Sequence, residues 1–259
     1  MLEDLKKKIV SAQSLHQDGK LDHARLAYKK ILKFYPDTFD VRYLLGTLEL
    51  QTNNFQSGSY HLLKAIKLNP KFPSSYNNLA IAYTEMSFFE DALVFLDKAI
   101  SIKYDYYEAF NNRGNIFLKL KKYDEALINY KKTLEINPEY SQAFNNMGNV
   151  YSELKQFKKA KNCFNSAILI NPQYLVALNN LGNCYKDLEQ YEEAILTYEK
   201  AIKVNQSFSE SYMNVARVLT IINKFDAAHD YYNKALTINS INDKYYSDFG
   251  IFYITLANL

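Results

Sequence analysis

The stretch "FNNRGNIF" fills residues 110–117, "FNNMGNVY" fills 144–151 and "LNNLGNCY" fills 178–185. Each begins 34 residues after the one before, and the glycine and the asparagines around it keep their places. Outward from this block the same period runs through the whole chain, which marks a repeat architecture. Seven copies begin at residues 5, 39, 73, 107, 141, 175 and 209, with a partial eighth from 243, all within one domain over 1–259.

The columns of the repeat describe two helices and two turns. Place eight holds Ala12, Gly46, Ala80, Gly114, Gly148, Gly182, Ala216 and Gly250, so five of the seven glycines share one column. Place twenty holds Ala24, Gly58, Ala92, Ala126, Ala160, Ala194 and Ala228. Small residues on both faces of a helix pair let the backbones approach closely, where leucine would force them apart. Large residues flank the gaps at place eleven (Tyr83, Phe117, Tyr151, Tyr185), place seventeen (Phe55, Phe89, Tyr123, Phe157) and place twenty-four (Tyr28, Leu62, Tyr130, Phe164, Tyr198). Four of the five prolines, Pro36, Pro70, Pro138 and Pro172, stand at place thirty-two as helix stops. Strand alternation and hairpin turn pairs are absent. The expected fold is all-α: helix, turn, helix, turn, stacked as a right-handed solenoid.

Composition narrows the function. The chain is 48% hydrophobic and 23% charged, with a formal net charge of +3 and no basic block. That charge steers weakly toward nucleic acid or anionic lipid, so no nucleic-acid partner is expected. No apolar run reaches the length of a membrane span, so no membrane partner is expected, and the default compartment is the cytoplasm. Cys163 and Cys184 are too few for a disulfide framework or structural zinc. His16, His23, His61 and His229 form no metal-binding pattern, and no phosphate-cradling glycine loop exists. We expect no enzyme, cofactor or metal. Acid pairs such as Asp124–Glu125 and Glu192–Glu193 suit helix starts.

An α-helix turns about 100° per residue. On each first helix, places four, seven, eight and eleven then share one stripe about 100° wide, the seam toward the core. In repeat four these are Phe110, Arg113, Gly114 and Phe117, with Arg113 expected to keep its head in water. Places five, six and nine fall on the opposite face. Place six presents Asn78, Asn112, Asn146, Asn180 and Asn214, place five Asn77, Asn111, Asn145 and Asn179, and place nine Asn115, Asn149 and Asn183.

Small eighth and twentieth places with a proline stop, at this period, resemble the tetratricopeptide repeat (TPR) family over residues 5–259. The resemblance implies a superhelix whose first helices line a concave surface, and hence an interaction scaffold binding extended peptide or protein segments. The carboxylate clamp of chaperone-binding members is not met, because no lysine stands among the fifth places Ile9, Tyr43, Asn77, Asn111, Asn145, Asn179 and Met213. The asparagine ladder resembles that of the repeat arm of protein O-GlcNAc transferases, which implies as an alternative a substrate-recruiting arm of a larger glycosyltransferase. Each amide carries donors and an acceptor that complement a peptide main chain. Two uses are open to a single asparagine: ligand binding, or hydrogen bonds between neighbouring helices. The column as a whole is read as a binding surface. On that reading, combined replacement of Asn112, Asn146 and Asn180 by Ala abolishes capture and leaves melting intact.

Departures from the pattern are local. Tyr104, Gln206 and Ser240 replace the stop proline, and Glu49 replaces an aromatic residue in repeat two. Repeat one has Lys8 and Ser11 in its seam, as suits a polar end cap. The eighth first helix has a seam (Tyr246, Phe249, Gly250, Tyr253) with no second helix to cover it. We therefore expect the natural chain to continue beyond Leu259, or the bare helix to offer a surface for self-association.

Overall fold

The computed structural model describes residues 2–239 and 243–257, with side chains described for 3–239 and 246–254. These residues form fifteen α-helices and no strand. The first helices of the repeats are α1 (Leu2–Gln17), α3 (Phe39–Gln51), α5 (Pro73–Glu85) and α7 (Tyr107–Lys119). They continue with α9 (Ser141–Glu153), α11 (Leu175–Asp187), α13 (Ser209–Ile221) and α15 (Asp243–Ala257). The second helices are α2 (Leu21–Phe34), α4 (Phe55–Leu68), α6 (Phe89–Ile102) and α8 (Tyr123–Ile136). The last three are α10 (Phe157–Ile170), α12 (Tyr191–Val204) and α14 (Phe225–Ile238). From α3 onward every first helix begins on the residue where its repeat begins. The architecture is an all-α repeat solenoid.

Two kinds of turn alternate. Between the helices of a repeat, place fifteen takes the left-handed conformation in all seven repeats: Gly19, Asn53, Ser87, Lys121, Lys155, Glu189 and Asn223, with φ between 56° and 73°. Only repeat one uses glycine there, and the sequence reading gave this place no role. Between repeats, each second helix ends at place thirty whether or not proline follows. The residue after it leaves the helical region, as at Lys103 (φ −131°, ψ 98°) and Asn205 (φ −145°, ψ 103°). Tyr104 and Gln206 at place thirty-two therefore leave the stop unchanged; Ser240 lies outside the described residues.

The chain divides into two compact units, Met1–Ile136 and Asn137–Leu259. Inside each, a first helix packs on its own second helix, on the preceding second helix and on the neighbouring first helix. Second helices touch no other second helix among the described residues. First helices thus lie on the inner side of each unit and second helices on the outer side.

Backbone approach explains the small columns. In repeat two, a Cβ added to Gly46 or to Gly58 would meet the other glycine's carbonyl oxygen at 3.2 Å. A Cβ on Gly148 would strike the Phe164 ring at 2.4 Å, and one on Gly182 the Tyr198 ring at 2.4 Å. Substituted seam positions find other solutions. Glu49 is buried, and its carboxylate accepts from Arg25 Nε at 3.2 and 3.3 Å and from Asn54 Nδ2 at 3.0 Å. An ion pair fills the place of the ring. Arg113 corrects its expectation: the head is not simply hydrated but donates to Asn129 Oδ1 and Asp97 Oδ1, both at 2.6 Å. In repeat one, the missing large residues leave an apolar cavity of about 220 Å³ lined by Lys8, Ser11, Ala12 and Phe34. On α15, Tyr246, Gly250 and Tyr253 of the expected seam are exposed, while Phe252 is buried against Phe225 and Tyr232.

Candidate functional site

The buried arc of a first helix is wider than one stripe. Places three, five and ten are buried as well as the seam: Ala109, Asn111 and Ile116 in repeat four, Ala177, Asn179 and Cys184 in repeat six. Three neighbouring helices, rather than one, press on it. This corrects the assignment of Asn77, Asn111, Asn145 and Asn179 to an open face, since all four are at most 5% exposed. Asn214 is likewise buried. Asn78, Asn112, Asn146 and Asn180 at place six are half-buried, as are Asn115, Asn149 and Asn183 at place nine.

The amides are tied together from repeat to repeat. Asn112 Nδ2 donates to Asn77 Oδ1 at 2.9 Å, Asn180 Nδ2 to Asn145 Oδ1 at 3.0 Å, and Asn214 Nδ2 to Asn179 Oδ1 at 3.0 Å. The buried carbonyl of place five is thereby satisfied by place six of the next repeat, a requirement that any buried polar group imposes. Asn78 has no asparagine before it and donates instead to Tyr43 Oη and Thr47 Oγ1, both at 3.3 Å.

Place twenty-four decides what place nine does. Tyr130 Oη donates to Asn115 Oδ1 at 2.9 Å and Tyr198 Oη to Asn183 Oδ1 at 2.7 Å. Burial raises the pKa of both phenols and keeps them protonated donors. In repeat five the residue is Phe164, with no hydroxyl, and Asn149 Oδ1 accepts from Asn180 Nδ2 at 3.0 Å instead. Asn180 therefore spends its donor group twice within the stack. The Oδ1 atoms of Asn112 and Asn180 have no hydrogen bond among the described residues and are partly open to solvent.

Burial lifts the Cys163 thiol to about 11 and raises that of Cys184, the wrong direction for a thiolate. His61 is buried and accepts from Arg42 Nη1 through Nδ1 at 3.2 Å. Among the described residues, no group of three His, Cys, Asp or Glu side chains could hold a metal ion. No helix there is long and apolar enough to cross a membrane.

Models of the tetratricopeptide repeat match residues 61–93, 107–140, 141–174, 176–208 and 209–242, well over half of the sequence. The chain belongs to the tetratricopeptide repeat family. Solved TPR structures share its fold at low identity. A TPR protein from Parabacteroides merdae is 17% identical, with a TM-score of 0.75, 97% of this chain covered and 99% of that one. YrrB, described as a TPR protein with an unusual peptide-binding site, is 22% identical with a TM-score of 0.55, covering 76% of this chain and 98% of that one. The chain is 16% identical to a chain of the APC/C hetero-tetramer Cut9–Hcn1, with a TM-score of 0.75 and 93% of this chain covered, and it spans 48% of that chain. No curated protein matches the chain. This TPR membership supports a protein-interaction scaffold. It carries the repeat and not the likeness to an O-GlcNAc transferase arm.

Proposed function

We propose that this TPR chain is a non-enzymatic scaffold that holds extended peptide segments on the inner side of its units. The observation that carries the reading is the state of Asn112 and Asn180: each faces inward with its donor group engaged and its carbonyl oxygen open. Such a surface offers acceptors and little charge. A ligand therefore has to donate, as the N–H groups of an extended main chain do at every residue. Each contact contributes about 0.5–1.5 kcal/mol, so affinity rests on several of them.

The binding residues of this reading are the half-buried Asn78, Asn112, Asn146, Asn180, Asn115, Asn149 and Asn183. Buried Asn77 and Asn145 hold Asn112 and Asn180 in place, while buried Asn111, Asn179 and Asn214 lie beneath the contact surface. The test is selection from a random peptide library by the intact chain and by the combined Asn112→Ala, Asn146→Ala and Asn180→Ala variant. Both are kept below their melting transitions, with helicity checked by circular dichroism. Peptides selected by the intact chain are expected to bind the folded variant at least about tenfold more weakly, the factor that some 1.4 kcal/mol of lost contacts supplies. Equal binding refutes the site.

A further inference from the structure

The outer side of the N-terminal unit carries a second pattern. Place twenty-two holds Leu26, Tyr60, Val94 and Ile128, which are 67%, 53%, 64% and 65% exposed. Four residues earlier stand Asp22, Gln56, Glu90 and Asp124, and four later Lys30, Lys64, Lys98 and Lys132, all exposed. Side chains four apart share a helix face, with successive turns about 6 Å along the axis. Each second helix therefore shows one line of acid, apolar residue and lysine, broken only by Gln56.

Repeats three and four hold adjacent complete lines, Glu90–Val94–Lys98 and Asp124–Ile128–Lys132. Glu90, Asp124 and Lys98 make no ion pair among the described residues, and Lys132 has only an exposed contact with Glu135 at 2.9 Å. Such a contact contributes little. In the C-terminal unit only repeat six keeps a line, Glu192–Leu196–Lys200, and it has no complete neighbour: repeat five reads Lys158, Asn162 and Ser166, and repeat seven has Asp230 at the apolar place.

We propose that α6 and α8 form a self-association surface whose partner is a second copy of this chain. The twofold axis runs across the helices through Val94 and Ile128. That axis reverses helix direction in the partner, so each acidic row faces a lysine row while the apolar residues meet their own symmetry mates. A twofold axis along the helices would set lysine against lysine. Charge complementarity thus selects the operator as well as the partner, and the contact is isologous and closed at two copies. The inner faces stay open. A two-repeat contact belongs to the small class of interfaces, so pairing shows at high protein concentration.

The test is sedimentation equilibrium of the full chain over a dilution series. The unaltered chain is expected to rise toward twice its monomer mass of 30.2 kDa. Val94→Glu with Ile128→Glu abolishes the rise, with helicity unchanged because both positions are exposed. Lys98→Glu with Lys132→Glu also abolishes it, since acid now faces acid. Adding Glu90→Lys and Asp124→Lys to that pair restores it, because both rows are exchanged together. A chain that stays monomeric to its solubility limit overturns the proposal. So does pairing that persists in the Val94→Glu, Ile128→Glu variant, or that fails to return in the folded four-fold exchange.

Discussion

Arg217 of repeat seven and Asp248 of repeat eight are joined by an ion pair, Arg217 Nε lying 3.2 Å from Asp248 Oδ2. Arg217 occupies place nine and Asp248 place six, the places taken by Asn149 and Asn180 two repeats earlier. The same step is made with hydroxyls at Tyr43, Thr47 and Asn78. Three chemistries therefore serve one geometry. The step from place nine to place six is first of all a tie between neighbouring first helices.

It follows that Asn180→Ala destabilises the chain by about 1–3 kcal/mol, because Asn145 Oδ1 is left buried without its donor. Chemical denaturation checks this. The expectation that such replacements leave melting intact is thereby revised. Tyr198→Phe is expected to cost less, since the freed Asn183 Oδ1 can turn to Asn214 as Asn149 does to Asn180.

The left-handed turns give a second prediction. A non-glycine residue at positive φ carries a steric penalty of about 1–2 kcal/mol, which glycine avoids at some cost in chain entropy. Ser87→Gly and Lys121→Gly are each expected to stabilise by about 0.5–1 kcal/mol. Asn223→Gly should gain less, because asparagine tolerates this region. Gly19→Ala, with no atom within 4 Å of the new Cβ, tests the backbone penalty alone and should destabilise. Denaturant midpoints at unchanged slope read all four.

Ser75 and Ser211 occupy place three and are both buried, yet only one is satisfied. Ser211 Oγ donates to Asn179 Oδ1 at 3.5 Å. Repeat two offers Tyr43 instead of asparagine, and Ser75 Oγ has no partner among the described residues. An orphaned buried hydroxyl costs about 1–3 kcal/mol. Ser75→Ala should therefore stabilise by about 1 kcal/mol, and Ser211→Ala should destabilise slightly. Opposite signs in thermal melts are the expected outcome.

Burial, with Arg42 second, lowers the pKa of His61 from 6.5 to about 4. The unfolded chain takes up the proton first as pH falls. Stability from this group is complete above about pH 6.5 and is lost progressively toward pH 4, a swing of about 3 kcal/mol. His61→Gln keeps an acceptor for Arg42 and does not titrate. Its melting temperature should fall less than that of the unaltered chain between pH 7 and 4.5.

Much of the fold was legible because the columns repeat. The period set the starts of α3 to α15, and the small places eight and twenty located the close approach of paired helices. Place fifteen was illegible because serine, lysine, glutamate and asparagine share no signature for positive φ; only Gly19 hinted at it. The site was half legible. A helical wheel sets Asn111 about 100° from Phe110 and outside the core stripe, but it cannot count how many helices press on α7. Nor could it show that a phenol at place twenty-four claims the amide at place nine, since that contact joins residues 15 apart across a turn.

Asn145 and Asn179 present the same group at the same place, and Asn180 and Asn214 each reach back to it. The joint carries no record of its position in the series. Excision of residues 175–208 as a block would bring Asn214 onto Asn145 with matching chemistry. Length in such a chain is a freely adjustable quantity, open to duplication or loss of whole modules without redesign of the seam between those that remain.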